Sequence, residues 1–177
     1  MIILITCASL PVMAQRYLPG MKGIQVAGGI IERNGYFVHA AYSKYTKSQN
    51  RLLFDMEYLQ RNYAYENEKI PVMQFTGEAG YYLRFFSDGT QSFFLAFGAH
   101  IGTGYETVNL NKKRLTTGAM ITNQDRWIYG GAVALEAEYY LDDKYVLLLF
   151  AKERLYGGSS VAIFHTQLGL GIKFILD

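Results

Sequence analysis

The chain has 177 residues, enough for one domain of ordinary size and too few for two. Half of them are hydrophobic, yet mean hydropathy is only +0.03, and beyond the N-terminus nothing matches the long uncharged apolar run of a membrane-spanning helix. Net charge is +2, from 17 basic and 15 acidic side chains, and no basic run stands out, so the electrostatic footprint of nucleic-acid binding is missing.

Residues 1–14 carry no charge. Ile2-Ile3-Leu4-Ile5 opens a short apolar core, Pro11 breaks it, and Val12-Met13-Ala14 offers a small-residue cleavage site before Gln15. This reads as a secretory signal that lacks its basic leading segment, followed by one mature domain over 15–177. Cys7, the only cysteine, falls within the signal, so the mature chain has neither disulfide nor thiol chemistry.

The mature chain alternates apolar and polar residues with a period of two, and its 15 Tyr, 11 Phe and 18 Gly favour strands over helices. In chain order the strands are expected over 22–32, 36–45, 51–63, 72–86, 93–105, 127–141, 145–156 and 161–176. Asn34-Gly35, Asp88-Gly89, Asp142-Asp143 and Gly157-Gly158 supply turns, and 64–71 and 106–125 are expected as polar loops. In the third strand Leu52, Phe54, Met56 and Tyr58 oppose Asp55, Glu57 and Arg61. In the fifth, Phe93, Leu95, Phe97 and Ile101 oppose Ala96, Gly98, His100 and Gly102. The sixth and last repeat the pattern, with Leu135 against Glu136 and Leu170 against Gly171.

Alternation alone does not separate a membrane barrel from a soluble one. Here the less apolar face is rich in Gly and Ala with scattered charges, which suits a cramped interior, and the bulky apolar face suits lipid. The expectation is an all-β fold: an eight-stranded antiparallel up-and-down transmembrane β-barrel in the outer membrane, with its N-terminus periplasmic. With that orientation the short connections 46–50, 87–91 and 142–144 lie inside, and the longer 64–71 and 106–125 lie outside.

Lumen-facing charges are then Asp55, Glu57, Glu78, Glu136 and Glu138 against Arg61, Arg84, Lys152, Arg154 and Lys173. Buried charges are very costly alone, so these are expected to pair into a structural ion-pair network that plugs the barrel. His39, His100 and His165 also point inward, but no short-spaced ligand motif supports a metal, and no cofactor is expected. Ser43 and His39 share one face of a strand at a separation too long for a hydrogen bond, so no catalytic residue is assigned. Gly28-Gly29 and Gly130-Gly131 lie within strands with no helix following, so neither is a phosphate loop.

Certain segments resemble the TraO family of conjugative-transposon transfer proteins. They begin with Ala14-Gln15-Arg16-Tyr17-Leu18-Pro19 and Lys22-Gly23-Ile24, and continue with Gly104-Tyr105-Glu106 and Ile128-Tyr129-Gly130-Gly131. The last are Leu141-Asp142-Asp143-Lys144-Tyr145-Val146-Leu147 and Gly169-Leu170-Gly171-Ile172-Lys173-Phe174. The resemblance implies a non-enzymatic accessory component of a conjugative, type IV secretion-like apparatus in the outer membrane. Its expected partners are outer-membrane lipid, other conjugation-apparatus proteins, and the barrel assembly machinery during insertion, with no direct nucleic-acid contact. Phe174 is expected to serve as the aromatic assembly signal. The other readings are a surface barrel for adhesion or envelope integrity, a soluble ligand-binding barrel, and a lipid-modifying enzyme.

Overall fold

The computed structural model describes residues 19–32, 34–46, 49–65, 68–114, 120–123, 125–159 and 163–176. The expected signal, with Cys7 and the cleavage site, lies outside the described residues. Eight strands follow one another: β1 (Lys22–Ile31), β2 (Gly35–Tyr45), β3 (Arg51–Tyr65), β4 (Glu68–Ser87), β5 (Phe93–Val108), β6 (Arg126–Tyr140), β7 (Tyr145–Gly157) and β8 (Phe164–Leu176). Each pairs antiparallel with the next, and β8 returns to β1, so the sheet closes as an up-and-down transmembrane β-barrel with no free edge around its wall. No described helix is long and apolar enough to cross a membrane; among the described residues the one helical element is a 3-10 turn, η1 (Asn109–Asn111).

The side-chain alternation reads directly onto the wall. Along β2 every second residue is buried, from Gly35 through Phe37, His39, Ala41 and Ser43 to Tyr45. The bulky apolar residues point outward: Met56 is 77% exposed and Ile101 73%, and Leu170 and Phe75 are similar. The inward set mixes charged, polar and small residues with apolar clusters such as Phe37, Leu59 and Phe150, and Arg154, His165 and Lys173 are completely buried. The apolar residues of the outward face, Phe54, Met56, Leu135, Ile101 and Leu170 among them, thus form the outer surface, while a smaller apolar set packs in clusters inside. Glu153 is an outward carboxylate on β7, and it accepts a hydrogen bond from Thr166 Oγ1 at 2.5 Å, near the start of β8.

Inward glycines make room for inward rings from neighbouring strands. A Cβ on Gly98 would meet the Tyr82 ring at 2.6 Å, and one on Gly169 would meet Phe150 at 2.5 Å and Phe37 at 2.8 Å. Asn34 takes positive φ, 55°, at the β1–β2 turn. Its neighbour Gly35 is already in β2 and serves for close approach, since a Cβ there would lie 2.8 Å from both Arg61 Cβ and Gln60 O.

Of the two polar segments expected as loops, the described part of the first is strand and the second is strand only at its start. Residues 64–65 and 68–71 continue β3 and β4 as a ladder, with Asn62 opposite Pro71 and Tyr65 opposite Glu68. Their polarity reflects exposure to water or headgroups beyond the apolar band, not a lack of pairing. Pro71 is tolerated because β5 reaches only Val72, which leaves Pro71 on an edge stretch. Glu106 to Val108 likewise extend β5. The wall is therefore lopsided: β1 has 10 residues, roughly the 9–11 that a tilted strand needs to cross hydrocarbon, whereas β4 has 20 and overhangs. The overhang lies at the end remote from the N-terminus, together with the long 109–125 connection. At the N-terminal end the connections 46–50, 88–92 and 141–144 are short.

Candidate functional site

Two regions carry chemistry, the filled lumen and the outer belt. In the lumen the charges stack in three layers. Nearest the N-terminal end, Arg51 of β3 meets Glu136 at 2.5 Å and also Glu138, both on β6. Lys173 of β8 pairs with the same Glu138 and donates to Tyr45 Oη at 3.0 Å, and the Arg51 guanidinium lies 4.4 Å from the centre of the Tyr82 ring. Two cations thus face two carboxylates.

The middle layer is larger. Arg154 of β7 donates two hydrogen bonds to Glu57 of β3, one of them at 2.8 Å, and also meets Glu78 of β4 at 2.5 Å. Lys152 pairs with Glu78 and lies 3.4 Å from Asp55. Tyr156 Oη donates to Glu78 at 2.7 Å, and Gln167 donates to Glu57 at 2.8 Å. Such forked, charge-assisted contacts are the strong kind of hydrogen bond. Nearest the far end, Arg61 lies 2.6 Å from His165 Nδ1 and 3.9 Å from Glu106, which accepts from Gln74 at 2.7 Å and from Ser159 at 2.8 Å.

The fold thus brings together Asp55, Glu57, Glu78, Lys152 and Arg154 in one layer and Glu136, Glu138 and Lys173 in another, with Arg61 in the third. Arg84 sits apart at the N-terminal mouth, half-exposed, where it donates to Gln49 Oε1 at 2.8 Å and covers the Phe94 ring. Two interior charges were not foreseen. Arg51 shares the odd-numbered face of Asp55 and Glu57 but stands at the strand's first position. Glu106 shares the inward face of Gly102 and Gly104 but falls where the strand was expected to have ended.

The three histidines go separate ways. His39 stacks on Phe150 with ring centres 5.3 Å apart, His100 meets Tyr82 Oη at 3.1 Å, and His165 meets Arg61. Asp55, Glu78 and His100 do place ligand-type atoms within 4.8 Å of one another. The Lys152 ammonium already contacts both carboxylates of that trio, so a cation of the protein's own stands where a metal would. Ser43 Oγ donates to Gly23 O at 3.3 Å and not to His39, so the two do not make a nucleophile–base pair.

On the outside, one cross-strand row of outward residues runs Val38, Tyr58, Phe75, Tyr105, Trp127 from β2 to β6. Tyr58 and Phe75 are 4.9 Å apart between ring centres, and Tyr105 and Trp127 5.6 Å. Outward positions beyond this row become mixed, with Gln60, Asn62, Lys69 and Thr107 beside Tyr36, Met73 and Pro71. Tyr36 and Tyr58 both donate to Gln60 Oε1, at 2.9 and 2.8 Å. The hydroxyls thus face the polar side, as aromatic rings do at a membrane interface. Near the N-terminal end Phe86 and Phe93, and Tyr145 and Phe174, form a second set of ring contacts. A β-bulge between Arg84 and Phe86 lets Phe85 and Phe86 both face out.

On the membrane side of the first row the next outward row is Val26, Ala40, Met56, Gly77, Thr103. Its small members leave an apolar groove of about 590 Å³ walled by Tyr58, Phe75, Tyr105 and Trp127.

Comparison with known proteins bears on these features. The family described as conjugative transposon protein TraO matches residues 18–176. No curated protein matches the chain. Among solved structures, Ail, the attachment invasion locus protein of Yersinia pestis, superposes with a TM-score of 0.57 at 10% identity, covering 90% of this chain and 100% of that one. Neisserial surface protein A gives 0.52 at 12%, covering 87% of this chain and 94% of that one. The N-terminal β-barrel domain of Pseudomonas aeruginosa OprF gives 0.52 at 10%, covering 89% and 98%. At such identities these likenesses show the fold alone. The family match spans nearly the whole chain, and the chain belongs to the TraO family of conjugative transposon proteins.

Proposed function

From membership in that family, we propose that the protein is a non-enzymatic accessory component of a conjugative transfer apparatus, held in the outer membrane. Residues 1–14 act as the secretory signal, and the N-terminus of the mature domain is periplasmic. The observation that carries the membrane part is the wall itself: bulky apolar residues face out between two aromatic belts, while the interior is filled by paired charges packed with buried apolar clusters. A barrel so plugged offers an anchor and a rim, not a conduit. Its overhanging β3–β4 hairpin and the 109–125 connection, or the short turns at the other end, are the surfaces on which other transfer proteins would dock. The lumen pairs serve to hold the wall rigid.

Deletion of the gene in a donor carrying the element, with complementation, tests the role. Transfer frequency should fall and recover, and the protein should fractionate with outer membrane and run at an anomalous gel position until boiled. Unchanged transfer frequency with correct outer-membrane insertion points instead to a surface barrel for adhesion or envelope integrity. Recovery in the aqueous fraction without detergent removes the membrane reading.

A further inference from the structure

We propose that the groove beneath the aromatic row seats an acyl chain of a phosphorylated glycolipid of the outer leaflet, whose phosphate is held by the basic residues clustered at the same end. The proposal rests on the orientation given above, with the overhanging end outside the cell.

The groove lies on the hydrocarbon-facing side of the wall, so its occupant is apolar. Its floor is Ala40, Gly77 and Thr103, directly cross-strand neighbours of bulky Val26, Met56 and Tyr129. Nothing from the protein fills the dip at Gly77: a Cβ built there would meet only Asp55 O, at 4.0 Å. The Thr103 hydroxyl is turned away, donating to Ile128 O at 3.0 Å, so the floor offers methyl and backbone surface to a hydrocarbon chain.

Charge complementarity selects among lipids. The η1 turn packs on β4 and β5, the strands that form the floor, and hands on directly to exposed Lys112, Lys113 and Arg114. A triplet so short is inconspicuous in the sequence, but the fold gives it company. Lys69 is on the outward face of β4, on the polar side of Phe75, and Arg126 adjoins Trp127. The described acidic residues of this sector are Glu68, Asp125 and the buried Glu106, which lies opposite Arg126 in the β5–β6 ladder, and the Asp125 carboxylate accepts the Val108 N–H at 2.9 Å. Basic side chains just beyond an aromatic belt attract anionic headgroups, and a greasy slot just inside it takes the attached chain. A neutral phospholipid satisfies only the second half of this site.

The test uses the full mature chain refolded in detergent micelles, titrated with a bis-phosphorylated acyl glycolipid, its dephosphorylated form, and phosphatidylethanolamine, with bound lipid read by native mass spectrometry. The phosphorylated form should be retained preferentially. The combined substitution Lys112→Gln, Lys113→Gln, Arg114→Gln should weaken that retention by about tenfold or more without altering retention of the dephosphorylated form. Gly77→Leu, which fills the groove from open space, should weaken retention of both glycolipid forms. A gel shift on boiling verifies that each variant is folded. Equal retention of all three lipids, or retention unmoved by Gly77→Leu in a folded barrel, overturns the site. Orientation is read separately by labelling a Lys113→Cys variant in intact cells. Labelling only after lysis overturns the outward placement while leaving the binding result to stand or fall on its own.

Discussion

Arg154 reaches across the lumen from β7 to two carboxylates on different strands, Glu57 and Glu78, and is completely buried. Forming such a contact gains little over a well-packed apolar pair, but removing one partner strands a charge. Arg154→Met leaves Glu57 with the Gln167 amide and Glu78 with Lys152 and Tyr156. A loss of about 3–5 kcal/mol in folding stability is expected, read as a lowered urea midpoint for the micelle-refolded barrel. A midpoint within error of the wild type would show that the interior charges do not depend on one another. Gly98 is sensitive for a different reason. Its missing Cβ is where the Tyr82 ring lies, so Gly98→Val forces the ring away from Arg51. Overpacking of this kind costs about 1–3 kcal/mol, and the same urea titration checks it.

Turns and strands set the next scale. Asp88 organises the β4–β5 turn: Oδ1 accepts the N–H groups of Ser92 at 2.7 Å and Phe93 at 2.9 Å, and Thr90 Oγ1 donates to Oδ2. The Phe93 N–H, then the Thr90 hydroxyl, hold the carboxyl below its ordinary value of 3.8. A carboxylate lowered in the folded state adds stability that is complete above its ordinary range and is lost as pH falls through the lowered folded value. The stability gap between wild type and Asp88→Ala should therefore be full at about pH 7 and close on strong acidification. Urea midpoints of the two proteins across that range check it, and a gap that widens on acidification contradicts the assignment. At this scale the sequence was most and least informative. Alternation placed all eight strands and both faces, because a one-residue slip would turn the outward apolar residues inward and the buried charges out into lipid. It misjudged 64–65, 68–71 and 106–108, because a strand that leaves the membrane loses its apolar face and resembles a loop. Pro71 strengthened that impression, being tolerated only because β5 stops short of it.

Taken as a whole, the molecule is a wall whose two surfaces were separable from residue type, whereas pairing partners were not. Period two tells which side chains enter the lumen but not at what height. Arg51 thus meets Glu138 far along the chain, and Glu78 lies between Lys152 and Arg154, only through the stagger of a closed sheet. That stagger also carries the last expectation. An eight-stranded barrel is about wide enough for side chains to fill it, and here three separate layers span it. The layer at Arg51 and Glu138 and the layer at Arg154 and Glu57 use different cations, so each blocks the axis by itself. The wild-type protein inserted in a planar bilayer should show no stepwise ion conductance. Arg51→Ala should stay equally silent, because the middle layer remains intact, even though that variant is less stable. Conductance steps in the wild type would mean that the interior pairs part readily, and the anchoring role would then give way to that of a channel.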